Sequence, residues 1–267
     1  MLSQICVVSV TYYTDASDIR FTLAQQLCRL AHQKQINLIV VDDSPIHIRE
    51  KIFQEQGGCV QILAQDNGRY QGKGGALRQA IDHARIWFQE HQKLNLNRCV
   101  ICFTEPEKVD LLNHIQNIVT PIISLDQSAD VVVPLRNRAL FQETYPVEQY
   151  HSESFANLHF DSLAKRHVGF QTTEIMERGL DWLFGPFAFN ARLACHWLEY
   201  TGMSWDAQMI PYVRGVLHRG WRIQSVEVHF KHPPEMKLQE EGNPVWTSKR
   251  LHQLNVLFEL LGKAELT

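Results

Sequence analysis

Val40-Val41-Asp42-Asp43-Ser44 and, further along, Asp66-Asn67-Gly68-Arg69-Tyr70-Gln71-Gly72-Lys73-Gly74-Gly75-Ala76-Leu77 are the two blocks that decide how this chain folds. The first is an apolar run ending in paired carboxylates. The second is a glycine-lined loop that carries a lysine and opens a helix. A strand end of this kind followed by such a loop is the layout of a site for a nucleotide and its phosphates.

Working outward, residues 5–10 form a β-branched run. Over 18–33 the apolar positions Ile19, Leu23, Leu27, Leu30 and Ala31 recur at helical spacing, with Asp15 or Ser17 placed to cap the helix. Residues 38–41 and 60–64 read as strands on either side of a helix at 47–56. A helix starting near Gly74 then leads to a fourth strand at 98–103. Short apolar strands alternating with helices predict an α/β fold with a mostly parallel sheet covered on both faces.

The second half predicts a strand at 129–134, a polar helical excursion or lid over 150–180, and an aromatic block at 182–189. Helices follow at 191–200 and 204–218, a strand at 222–230, and a last helix at 247–262 after His232-Pro233-Pro234. There is no repeat, low-complexity tract or linker. The reading is one domain over 1–267, with a nucleotide-binding half at 1–110 and an acceptor-binding half at 111–267 that includes the C-terminal helix.

With 26 Lys+Arg against 29 Asp+Glu, the formal charge of -3 offers no field for nucleic acid or an anionic membrane. No apolar run reaches the ~20 residues of a membrane span, and the first residues lack a basic leader, so a cytoplasmic protein is expected. Six scattered cysteines predict reduced thiols. Cys99 and Cys102, three apart in a strand, point to opposite faces and read as buried thiols rather than a ligand pair.

In open parallel sheets, ligands gather at the carboxyl ends of the strands. Tyr12 and Thr14 follow the first strand, Asp42 and Asp43 the second, Asn67 and Gly72-Lys73-Gly74 the third, and Thr104-Glu105-Pro106-Glu107 the fourth. A carboxylate at Asp42 or Asp43 accepts hydrogen bonds from a ribose or base, or caps a turn. Gly72 and Gly74 permit close backbone approach, and Lys73 offers charge to oxygens of ribose, base or diphosphate. No Ser or Thr follows Lys73, so this is not a Walker loop. Glu105 and Glu107 lie on one side of a strand end, suited to hold Mg²⁺ or Mn²⁺ against a diphosphate or to face solvent as a turn. Asp206 begins a helix. His229 and His232 gain interest if they reach Glu105 and Glu107.

Taken in this order, the blocks resemble the GT-A glycosyltransferases, above all the family-2-like members and their glucosyl- and mannosyl-phosphoglycerate synthase relatives. The likeness spans most of 5–232. It rests on the Val40–Ser44 strand end, Asn67-Gly68 with the Gly72–Leu77 helix start, Gly185-Pro186-Phe187-Ala188-Phe189-Asn190, and Trp205-Asp206-Ala207-Gln208 leading to Arg219-Gly220-Trp221-Arg222-Ile223. The resemblance implies a GT-A fold and a hexosyltransferase that moves a sugar from a nucleoside diphosphate donor to a hydroxyl acceptor with Mn²⁺ or Mg²⁺. It implies that Asp43 and Lys73 contact the nucleoside, that Asp206 is the general base, and that Gly185 and Phe187 lie on the acceptor side. His232 or His229 would be a further metal ligand. The sequence departs from the family at the D-x-D motif, where Glu105-Pro106-Glu107 stands. The alternatives are a nucleotidyltransferase, which would need a glycine-rich basic loop where Thr11–Asp15 stands, and a catalytically silent protein that binds a nucleotide sugar.

Overall fold

The computed structural model describes residues 2–53, 58–124, 126–166 and 178–264. Seven strands form one sheet: β1 (Ile5–Thr11), β2 (Asn37–Asp42), β3 (Val60–Ala64), β4 (Val100–Phe103), β5 (Val131–Arg136), β6 (Phe187–Asn190) and β7 (Ile223–Val228), in the order β3-β2-β1-β4-β6-β5-β7. β3, β2, β1 and β4 run parallel; β6 is antiparallel to both β4 and β5, and β7 is parallel to β5. The helices are α1 (Ile19–Lys34), α2 (Ile46–Arg49), α3 (Gly72–Ile86), α4 (Ile115–Ile123), α5 (Arg138–Thr144), α6 (Val147–Ala164), α7 (Ala194–Glu199), α8 (Asp206–Arg219), α9 (Pro234–Glu240) and α10 (Pro244–Ala264).

Strand periodicity divides the core into two layers. Along β1, Cys6, Val8 and Val10 join the layer packed by α3, α7 and α8. Ile5 and Val7 join the layer packed by α1 and α4. Both faces are covered, as alternating strands and helices require. Cys99 and Cys102 are buried in opposite layers, each held as a thiol whose ionisation burial pushes upward.

Several expected boundaries move. Asp18, not Asp15 or Ser17, caps α1: its backbone is extended and its carboxylate accepts the Arg20 amide at 2.9 Å. Asp15 instead turns back on the Ser17 amide at 2.8 Å. The helix expected at 47–56 ends at Arg49, and residues 54–57 lie outside the described residues. The excursion at 150–180 is helix from Val147 to Ala164, with 167–177 outside the described residues. A proline-started helix at Pro234 and an earlier start at Pro244 replace the single late helix.

The aromatic block is core. Phe187 and Phe189 alternate along β6 with Ala188, and their rings stack on Trp197 of α7 at 5.5 and 3.9 Å. Phe187 is 2% exposed, so the expected acceptor contact at this residue does not form. Phe189→Ala is expected to cost about 3–5 kcal/mol through the cavity it leaves, measured by urea unfolding.

Candidate active site

The carboxyl ends of β1 and β2 are tied together by Asp42. One of its oxygens accepts the Thr11 hydroxyl at 2.6 Å and the Ser44 hydroxyl at 2.8 Å, and the other accepts the Ser44 amide at 2.9 Å. Its carboxylate is fully buried. Asp42 therefore builds the loop and is not a donor contact, the turn-forming alternative its position allowed. Its neighbour Asp43 is exposed and accepts Asn67 Nδ2 at 2.6 Å, which joins the ends of β2 and β3. Tyr12 and Thr14 are exposed beyond β1.

Gly72 and Gly74 serve a different purpose from the one expected. Gly72 has φ +64°, and a Cβ there would stand 2.6 Å from the Met203 carbonyl. At Gly74 a Cβ would stand 2.2 Å from the Gly202 carbonyl, while its amide donates to Met203 O at 3.0 Å. The first turn of α3 is thus closed by the 202–203 loop, and its missing side chains make room for protein rather than for phosphate. Arg78 of α3 completes the junction by donating to the carbonyls of Tyr200 and Gly202 at 2.8 and 2.6 Å. Lys73 alone of this turn reaches outward, to Glu105.

Glu105 follows β4 and is gripped by two ammonium groups. Lys73 Nζ donates to Oε1 at 3.0 Å, and Lys108 Nζ donates to Oε2. Gly185, at φ +97°, brings its backbone so close that a Cβ would lie 3.1 Å from Oε2, which places Gly185 in the cleft beside this carboxylate. Burial alone would raise the Glu105 carboxyl, but Lys108 and Lys73 override it and hold it well below the usual carboxylate range. Burial likewise opposes the Lys108 ammonium, and Glu105 with Glu107 raises it above its ordinary value.

The expected ligand set Glu105, Glu107 and His232 does not converge. His232 Nε2 lies 3.6 Å from Glu240, and its ring stacks on Tyr145 at 4.2 Å. His229 is exposed beside Glu227. Among the described residues no three His, Cys, Asp or Glu side chains are grouped to hold a metal ion. The reason at Glu105 is electrostatic: unit charges about 4 Å apart interact by about 4 kcal/mol at an effective dielectric of 20, and the repulsion doubles for a divalent ion against each ammonium. In this arrangement Glu105 does not fit a resident cation.

Asp206 is also placed differently from its expected role. One oxygen accepts the Tyr200 hydroxyl at 2.6 Å, the other accepts the Ser204 amide at 3.2 Å, and the residue is 8% exposed. It is the early-turn acid that anchors α8 to the 200–204 loop, and it does not line the cleft.

The cleft beside Glu105 encloses about 130 Å³. One wall is fixed by buried Arg136, which donates to Asp181 at 2.6 and 2.7 Å and to Glu153 at 2.8 Å, with its guanidinium 3.6 Å from the Phe141 ring centroid. The opposite wall carries Gln208 of α8 and, from α10, Trp246, Lys249 and Arg250. Among the described residues Tyr145 Oη, Gln208 Nε2 and both terminal nitrogens of Arg250 are buried without a hydrogen-bond partner, and Arg250 makes an ion-pair contact with Glu240 at 3.5 Å. Leaving such donors unmade costs about 1–3 kcal/mol each, so they await an oxygen-rich ligand or water. Lys108 was legible as the third residue after Glu105. Arg250, Lys249 and Trp246 carried no sequence signal, because only packing brings α10 over the cleft.

Burial holds the His232 imidazole below its ordinary value of 6.5, against the raising pull of Glu240. Its stabilising contribution is present above 6.5 and is lost as pH falls from there toward the lowered folded value, where the unfolded chain binds the extra proton first. Between about pH 7.5 and 5.5 the urea midpoint of the wild type is expected to fall further than that of His232→Gln.

A mostly parallel sheet with one reversed strand, and the site at the carboxyl ends of β1 to β4, define the GT-A class of fold. Among solved structures, the chain is similar to glucosyl-3-phosphoglycerate synthase from Mycobacterium tuberculosis in complex with Mn²⁺, UDP and phosphoglyceric acid, with TM-score 0.51 and 13% identity over 97% of this chain and 78% of that one. The same enzyme with Mg²⁺ and UDP gives TM-score 0.51 and 13% identity over 97% and 79%. A further structure of the M. tuberculosis enzyme gives 0.50 and 13% over 97% and 81%. No family model matches the chain, and no curated protein matches it. Among the described residues no helix is long and apolar enough to cross a membrane.

Proposed function

We propose that this chain is a glycosyltransferase that moves a hexosyl group from a nucleoside diphosphate donor to a hydroxyl of a small acidic acceptor. The observation that carries the reading is the Lys73–Glu105–Lys108 cluster at the end of β4, opening onto a cleft lined by the unmade donors of Tyr145, Gln208 and Arg250. The solved neighbours supply the class of ligand, since they are held with UDP, Mn²⁺ or Mg²⁺, and phosphoglyceric acid.

In this reading residues 1–110 bind the donor and 111–267 bind the acceptor. Asp43, Asn67, Tyr12 and Thr14 border the nucleoside, and the lysines meet the diphosphate. The acceptor oxygen forms a bond to the anomeric carbon as the bond from that carbon to the diphosphate oxygen breaks. The products are a glycoside, a nucleoside diphosphate and the hydroxyl proton. Lys73 and Lys108 stabilise the charge gathering on the leaving diphosphate, as fixed charges aimed at developing charge do. Arg250, Gln208 and Tyr145 hold the acceptor's anionic group, and a cleft of about 130 Å³ favours a small one. The six cysteines are all free, which supports a reducing, cytoplasmic setting.

A thermal-shift panel of UDP, GDP, ADP, CDP and their sugar conjugates, each with and without Mn²⁺, tests the donor half. One nucleotide at ~100 times its dissociation constant is expected to stabilise the fold by about 2.7 kcal/mol. No shift with any of them refutes the reading, and a shift without transfer to phosphorylated or carboxylated hydroxy compounds leaves a binding protein. Arg250→Ala is expected to raise the acceptor KM roughly tenfold or more, as a charge-assisted hydrogen bond predicts, with the nucleotide shift unchanged. Steady-state kinetics at saturating donor measure it.

A further inference from the structure

The tetrapeptide Glu105-Pro106-Glu107-Lys108 is a tight turn. The Lys108 amide donates to the Glu105 carbonyl at 3.0 Å, and Pro106 takes the second position, where its fixed φ suits such a turn. The backbone thus folds the fourth residue back on the first, and Lys108 Nζ donates to Glu105 Oε2. The Lys108 side chain is 11% exposed, lines the cleft, and places its ammonium 5.5 Å from the centroid of the Phe184 ring. Burial opposes this charge, and Glu105 and Glu107 outweigh it. From α3, Lys73 Nζ sets a second ammonium on Oε1 at 3.0 Å. Each ammonium has three N–H donors, and Glu105 takes one from each.

We propose that Lys108, held by Glu105 together with Lys73, is a built-in substitute for a divalent cation, so that this chain binds a nucleoside diphosphate without any metal ion. The proposal rests on the nucleotide-binding reading above and deepens it. A leaving diphosphate needs positive charge fixed close by. Two ammoniums carry the same charge as one divalent ion, and the Glu105 carboxylate fixes their positions with both of its oxygens. The strand end that follows β4 is therefore built to hold lysines, and its proline turn is the device that brings one of them there.

Other charges facing this place are Glu107 from the same turn, Lys249 from α10 and Arg20 from α1, the last bound to Asp18 at 2.5 Å. Lys73, Lys108 and Lys249 outnumber Glu105 and Glu107. That balance favours an anion arriving without an accompanying cation.

Isothermal titration calorimetry tests the proposal with two probes. One is inorganic pyrophosphate in EDTA. The other is the nucleoside diphosphate that stabilises the fold in the thermal panel, titrated in EDTA and again in MnCl₂. Its dissociation constant is expected to agree within about twofold between the two media, a difference well under the 1.4 kcal/mol of a tenfold change. Lys108→Met is expected to weaken both probes in EDTA by about tenfold or more, the loss of one charge-assisted hydrogen bond. Lys108→Gln reads the same way if the Met variant melts early. Glu105→Gln in MnCl₂ is expected to bind the nucleotide at least as tightly as the wild type, because the change removes a carboxylate that competes with phosphate for the lysines.

Nucleotide affinity that drops about tenfold or more when Mn²⁺ is withdrawn overturns the proposal. So does a Lys108→Met variant that binds both probes like the wild type, or a Glu105→Gln variant that loses nucleotide affinity in MnCl₂. Pyrophosphate binding that depends on Lys108, with no nucleotide bound in either medium, leaves the ammonium site standing and faults the donor reading instead. Binding of neither probe overturns both.

Discussion

The Glu105 carboxylate, held between the ammonium groups of Lys73 and Lys108, is the interaction on which the rest of the site depends. It closes the carboxyl end of β4, ties the first turn of α3 to that end, and packs closely against the backbone of Gly185, whose φ of +97° favours glycine. A half-buried carboxylate without those partners would protonate more readily or draw water, because desolvation disfavours its charge. With them it remains ionised, and the cleft floor carries fixed charges of both signs within one hydrogen-bonded cluster. The price is that the carboxylate is committed to lysines in the state described.

A second constraint runs through the junction of α3 with the 200–204 loop. Gly72 and Gly74 let the Gly202 and Met203 carbonyls approach α3, Arg78 clamps two carbonyls of that loop, and Asp206 ties the loop to the start of α8. The glycine-lysine motif thus joins the first and second halves of the chain. Its lysine is the part turned toward chemistry, and its glycines and the neighbouring acid position α8, which in turn presents Gln208 to the cleft.

Much of the architecture was legible because it follows from periodicity. The alternation of β1 side chains between two buried layers, the helical stripe of α1, and the opposite faces taken by Cys99 and Cys102 are all local consequences of repeat lengths of two and 3.6 residues. The location of the site at the strand ends was legible for the same reason. Individual roles were less so. Asp42 and Asp43 are adjacent and chemically identical, yet one is consumed by Thr11 and Ser44 while the other faces outward beside Asn67. Phe187 belonged to a motif associated with the acceptor side, but strand alternation turned its ring into the core against Trp197.

The sequence by itself determined the α/β class, the parallel direction of the early strands, and the gathering of Asp43, Asn67, Lys73 and Glu105 at one edge, since each follows from local pattern and chain direction. Only the tertiary structure decided which carboxylates stay available. Side chains distant in sequence compete for the same charge: Lys73 reaches Glu105 across 32 residues, Tyr200 takes an oxygen of Asp206, and α10 carries Arg250 to Glu240 at the cleft. Periodicity fixes which face a residue occupies. Which partner neutralises it depends on distances of a few ångströms between elements, and those are set by packing of the whole fold.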